Sequence, residues 1–117
     1  MDHRSHRKEL TTSYKLTHPE AGVYRIVNTA TGKALLGSAP KLASVRNKLE
    51  FARSTNMPGA LDHRLHADAR QFGLAAFALE VLEHVQPSPE MTATEIRAEL
   101  ATLEALWREQ HHPALLY

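Results

Sequence analysis

The sequence predicts an α+β domain in which a small three-stranded, mainly antiparallel sheet is flanked by helices, and three observations predict it. Val23, Arg25 and Val27 alternate with Tyr24 and Ile26, the period of two expected of a strand with two unlike faces. Asn28 to Gly32 then gathers residues that tolerate turns, its glycine supplying the positive φ that a hairpin loop needs, so Lys33 to Ser38 returns as the partner strand. Thr92 and Glu95 form a capping-box pattern, with Met91 and Ile96 spaced as a hydrophobic staple, and mark the start of a closing helix.

The remaining elements follow in chain order. About Arg4 to Leu16 reads as a short helix that ends before Pro19, whose ring disfavours helical geometry at His18. In the hairpin, Tyr24 is expected across from Leu35, which brings their side chains together. Ser38 is placed to cap the next helix, with Pro40 in its first turn, where a missing amide donor costs little. Leu42, Val45, Leu49 and Ala52 form its apolar stripe, and Pro58 and Gly59 break it. A third helix carries Leu61, Leu65, Ala69 and Phe72 on one side and stops at Gly73. Phe77 to Glu83 is the last strand, which Pro87 to Pro89 prevents from continuing. The closing helix has Ile96, Leu100, Leu103 and Trp107 as its stripe. No internal repeat or low-complexity segment interrupts the pattern.

Composition bounds what such a domain does. The 117 residues fit one domain with a single modest core, and the absence of cysteine excludes disulfides and thiolate metal sites. No apolar run approaches the roughly 18 to 20 residues that cross a bilayer. Met1 to Leu10 lacks the apolar segment of a signal peptide, so a cytoplasmic protein without membrane contact is expected. Fourteen Lys and Arg stand against thirteen Asp and Glu, a formal charge of only +1, so affinity for a polyanion must come from uneven distribution. One such cluster is His3, Arg4, His6, Arg7, Lys8 and Lys15, which reads equally as a solvated leader or as a phosphate contact. His63 and His66 lie three apart, and His111 adjoins His112. Neither pair has a third ligand at a structural-zinc spacing, and surface histidines are the expected reading.

Gly22-Val23-Tyr24 and Leu35-Leu36-Gly37, a short loop apart, resemble the paired tripeptides of GIY-YIG nucleases. The similarity runs through Ala21 to Gly37, with an Asn-x-x-Thr-Gly-Lys turn at Asn28 to Lys33. It continues in Gln71-Phe72-Gly73-Leu74, in Phe77 to Glu83, and in Leu103-Glu104-Ala105-Leu106-Trp107, covering roughly residues 20 to 112. The leader, with Tyr14-Lys15 and Pro19 to Gly22, is similar to a small bacterial branch of such proteins, found alone or joined to transcriptional regulators. The resemblance implies a basic helical leader over 1–19 and a GIY-YIG-like domain over 20–117.

It also implies a chemistry, hydrolysis of a phosphodiester in nucleic acid assisted by one divalent cation, Mg2+ or Mn2+. Carried over, Tyr24 becomes the general base, Glu104 the metal-binding carboxylate, and Arg46 the arginine of the first helix after the hairpin. Arg46, Arg53 and Lys33 are the candidate nucleic-acid contacts. At about 100° per residue, Glu104 lies about 70° from the centre of the closing helix's stripe, which places it at the border of the core. Two departures from the family pattern are visible. Leu35 stands where the second tripeptide usually has a phenol, and Val45 occupies the usual position of the arginine, with Arg46 displaced by one residue. Arg46 and Arg53, seven residues apart on nearly one flank, read either as a track for a phosphate backbone or as a solvated face.

Two classes of function follow. One is a metal-dependent endonuclease or nickase built on Tyr24 and Glu104. The other is a catalytically reduced domain that binds nucleic acid or a protein in regulation. The apolar Ala114 to Tyr117 is placed to pack on its own domain, on a protein partner or on a second copy.

Overall fold

Residues 20–117 are described by a computed structural model; the leader over 1–19, with its expected helix, lies outside the described residues. The alternating segment forms β1 (Ala21–Asn28), which pairs antiparallel with β2 (Ala34–Ala39). Their turn closes as its glycine predicts. Gly32 sits at φ 81°, and its N–H donates to the Asn28 carbonyl at 2.7 Å. The register differs from the expected pairing, since Tyr24 lies opposite Gly37 while Leu35 lies opposite Ile26. Tyr24 and Leu35 are therefore diagonal neighbours on one face.

α1 (Leu42–Thr55) begins later than the serine signal suggested. Lys41 holds the cap position with no side-chain bond, and Ser38 remains in β2. Pro40 explains the shift, because its ring keeps Ala39 extended and prolongs the strand. Leu42, Leu49 and Ala52 are buried as the stripe requires, and Asn56 ends the helix in the left-handed region at φ 53°.

The expected third helix is broken into short pieces. A 3-10 turn at Pro58–Ala60 and another at His63–Leu65 precede α2 (His66–Phe72). Asp62 accounts for the interruption, since its carboxylate accepts the Arg64 backbone N–H at 2.9 Å and restarts the chain there. Leu61, Leu65 and Ala69 are buried as expected, whereas Phe72 is not, its side being left open where the chain turns at Gly73, φ 85°.

β3 (Phe77–Val85) pairs antiparallel with the other edge of β1, giving the sheet order β2-β1-β3. The ladder shifts by one residue between Val23, opposite Glu83, and Tyr24, opposite Val81, so the strand bends at that point. α3 (Ala93–Glu109) opens with the anticipated capping box: Glu95 N–H donates to Thr92 Oγ1 at 3.1 Å and Thr92 N–H to Glu95 Oε1 at 3.3 Å.

Helices cover both faces of the sheet. Ile26, Leu35, Leu49, Leu65 and Phe77 pack with α1 and the segment that follows it. α3 lies across β1 and β2, with Leu100 buried and Trp107 Nε1 donating to Glu83 Oε1 at 2.8 Å. Among the described residues, no helix is long and apolar enough to cross a membrane.

The tail packs on its own domain. Leu116 bridges in parallel to Ala34, and Tyr117 N–H donates to the Ala34 carbonyl at 3.0 Å, which covers the first half of the β2 edge. Tyr117 also completes a network around Asn28, a fully buried polar side chain. Asn28 Oδ1 accepts Ala30 N–H at 3.0 Å and Nδ2 donates to the Tyr117 hydroxyl at 3.2 Å, while that hydroxyl donates to Asp68 at 2.6 Å. Removing Asn28 leaves the Ala30 N–H and the half-buried Tyr117 hydroxyl without their partner. Asn28→Ala is therefore expected to lower stability by about 1–3 kcal/mol, read as a lower urea midpoint. A midpoint equal to wild type would show that the network contributes nothing.

Candidate active-site cleft

Register brings the site together. Tyr24 lies opposite Gly37, and a Cβ at Gly37 would sit 2.7 Å from the phenolic oxygen and 2.8 Å from Cζ, so the ring lies directly over a residue that has no side chain. Ser38, opposite Val23, points to the other face of the sheet. Its hydroxyl donates to Glu104 Oε1 at 2.9 Å, drawing that carboxylate from α3 to the β2 edge. Two groups from opposite sides of the sheet thus meet where β2 is not covered by the tail.

Both line one cavity of about 480 Å³, together with Leu35, Val45, Lys48, Asp62, Arg64 and Arg108, among others. That volume falls in the range of small-ligand sites. Its floor is apolar and its rim is charged, with three cations and two carboxylates. Glu104 is held from two sides, since Arg108 Nη2 also donates to its Oε2 at 3.3 Å. Each oxygen accepts one of these bonds, so the carboxylate retains lone pairs for another ligand.

The phenol of Tyr24 is pushed above its ordinary value, chiefly by burial, then by the negative charges of Glu104 and Asp62; Arg64 opposes the shift. In the protein alone it is neutral at neutral pH, and it becomes a proton acceptor only when a further positive charge enters the cleft. Asp62 is held well below the usual carboxylate range, first by its side-chain bonds from Arg64 and then by that residue's backbone N–H.

Of the residues singled out from the sequence, Tyr24 and Glu104 share the cleft, whereas Arg46, Arg53 and Lys33 are not among its lining residues. Arg46 is exposed on α1, because Val45 is the residue turned to the cavity and one position rotates a helical side chain by about 100°. Arg53 donates through Nη2 to the Phe77 carbonyl, joining the end of α1 to β3. The Lys33 ammonium lies 4.9 Å from the centre of the Tyr117 ring. His66 Nε2 is 2.8 Å from the Leu61 carbonyl, and no group of three or more His, Asp or Glu able to hold a metal occurs among the described residues.

Lys48, Arg64 and Arg108 are the cations that sequence reasoning missed. Helical spacing could have found two of them, since Lys48 follows Val45 by three residues and Arg108 follows Glu104 by four. Arg64 carries no such signal, being placed by a 3-10 turn whose path no periodicity encodes. In comparisons with known proteins, no family model, curated sequence or solved structure matches this chain. The functional argument therefore stands on the cleft itself.

Proposed function

We propose that the cleft hydrolyses a phosphodiester of nucleic acid, in the manner that the resemblance to GIY-YIG nucleases implies. The observation that carries this reading is the convergence of Tyr24 and Glu104 in one cavity with a cationic rim. They are eighty residues apart in the chain and reach the cavity from opposite faces of the sheet. A phenol, a fixed carboxylate and several cations are the parts that attack on a phosphate needs: a proton acceptor, an anchor for positive charge, and donors for the nonbridging oxygens.

The donor set suits a hard cation better than zinc. Mg2+ or Mn2+ keeps several waters and takes few protein ligands, commonly one or two carboxylates with the rest from substrate phosphate. Glu104 would hold it, and Ser38 and Arg108 orient that carboxylate. Bound there, the ion supplies positive charge that neutralises the phosphate and favours the tyrosinate. Tyr24 is the group placed to take a proton from the attacking water, and Leu35 and Val45 are among the apolar residues that line the cleft.

The test is cleavage of supercoiled, linear and branched DNA and of RNA by wild type, Tyr24→Phe and Glu104→Ala, with Mg2+ or Mn2+. Wild type is expected to cut at least one substrate, faster as pH rises toward the tyrosine range, and each variant to lose about 100-fold or more. Equal activity in all three proteins would mark a contaminant and end the hydrolytic reading.

A second reading is a catalytically reduced domain that binds nucleic acid or protein, a cleft without turnover. It is favoured by Leu35 and Val45, two apolar residues in the positions that departed from the family pattern, both lining the cavity. Under this reading polynucleotide binding persists and falls steeply with salt.

A further inference from the structure

We infer that Arg64 is the phosphate-gripping residue of this cleft, released to the ligand from Asp62. The inference rests on the reading of the cleft as a phosphodiester site and names the side chain that would hold the anion. Geometry separates Arg64 from the other cations. Its Nε donates to Asp62 Oδ1 at 3.0 Å and its Nη2 to Oδ2 at 3.1 Å, a forked pairing of guanidinium with carboxylate. Two tetrahedral oxygens of a phosphate match the same fork. Asp62 thus occupies the donors in the free protein as a phosphate would occupy them in the complex.

The pair does little for the fold. Its partners are only two residues apart and join no distant elements, and their side chains are 46% and 33% exposed. A pair of that kind stabilises weakly. What it achieves is placement, because both residues line the cavity that holds Tyr24 and Glu104, close enough for the Glu104 carboxylate to act on the Arg64 charge. Of the guanidinium's five N–H donors, two are spent on Asp62, and the rest remain available to an anion. Arg108 meets Glu104 through one Nη2 bond at 3.3 Å and shows no forked pairing. Lys48 offers a point charge without a fork.

Exchange is favoured by charge. A phosphate entering the cleft meets Lys48 and Arg108 as well as Arg64, whereas Asp62 is paired with Arg64 and lies 3.6 Å from the His63 ring. Asp62 therefore acts as a competitor whose removal tightens binding. Its neutral isostere keeps an oxygen for the Arg64 backbone N–H and so preserves the 3-10 turn.

The experiment uses a fluorescent single-stranded oligonucleotide, in chelator so that no cutting intrudes, and inorganic phosphate followed by the Nε–H resonance of Arg64. Affinity is compared for wild type, Arg64→Ala, Arg64→Lys, Asp62→Asn and, as a control outside the lining of the cleft, Arg97→Ala. Arg64→Ala is expected to bind about 10-fold more weakly with a salt slope shallower by about one, and Arg64→Lys to lie between it and wild type. Asp62→Asn should bind a few-fold more tightly by the same electrostatic logic, about 3-fold, and Arg97→Ala should match wild type. Phosphate should move the Arg64 resonance in wild type.

The inference is overturned if Arg64→Ala binds as Arg97→Ala does, if wild type binds neither probe, or if phosphate leaves the Arg64 resonance unmoved. Circular dichroism of Arg64→Ala excludes loss of fold as the cause of weaker binding. The two readings fail separately. Arg64-dependent binding without cleavage by any protein removes hydrolysis and leaves this assignment standing, whereas undiminished cleavage by Arg64→Ala removes the assignment alone.

Discussion

Gly22→Ala is expected to lower stability by about 3 kcal/mol, the upper end of what overpacking a closed site costs. A Cβ at this position would overlap the Glu83 carbonyl oxygen and press on Leu42 Cδ1 at 3.1 Å. The obstacle is backbone, and it lies beside the residue pair at which the β1–β3 ladder shifts register. The start of β1 is tied to α1, since the Glu20 carbonyl accepts the Leu42 N–H at 2.8 Å. For a domain with roughly 5–15 kcal/mol of total stability, such a loss populates unfolded chains at physiological temperature. Gly59→Ala provides the contrast, since a Cβ there meets nothing within 4 Å. Urea denaturation of the two variants decides the matter, and equal midpoints would mean that the strand relaxes around Gly22 at no cost.

Gly37→Ala should leave the fold largely intact and damage the site. Here the obstructing atoms are Tyr24 Oη at 2.7 Å and Cζ at 2.8 Å, the far end of a side chain rather than backbone. Stability is expected to fall by no more than about 1.5 kcal/mol, while the phenol is displaced by about 1 Å, enough to cost on the order of 100-fold in a reaction that depends on its placement. The phenol's titration offers a readout independent of turnover. Burial is the main cause of its raised value, so a ring pushed toward solvent should ionise at lower pH than in wild type. A double-mutant cycle completes the argument, because adding Gly37→Ala to Tyr24→Phe should cost little more activity than Tyr24→Phe alone. Full additivity, with an unmoved tyrosine titration, would disconnect Gly37 from the phenol.

Much of the fold was legible because it is built from local signals. The alternation from Val23 to Val27, the turn that closes at Gly32 and the capping box at Thr92 and Glu95 each act within a few residues, and each forms as read. The errors fall where a local signal met a competitor. Ser38 has the chemistry of a cap, yet Pro40 holds the chain extended and the hydroxyl turns to Glu104. Phe72 fits the stripe of a continuous helix, but the chain turns at Gly73 and leaves its ring exposed.

The site divides along the same line. Tyr24 and Glu104 were readable as candidates because one belongs to a recognisable tripeptide and the other borders a helical stripe, both properties of short segments. Arg46 was not separable from Val45 by any local rule, since a single residue of phase decides which of them turns to the cleft.

By itself the sequence determined the order of strands and helices and the positions of a phenol and a carboxylate on them, because period, turn chemistry and capping act over a few bonds. Tertiary structure alone decided that Tyr24 folds over Gly37, that Ser38 draws Glu104 around the edge of β2, and that Arg64 rather than Arg46 joins them. Those outcomes depend on strand register and on the path of a 3-10 turn, and both are set by how the whole chain packs.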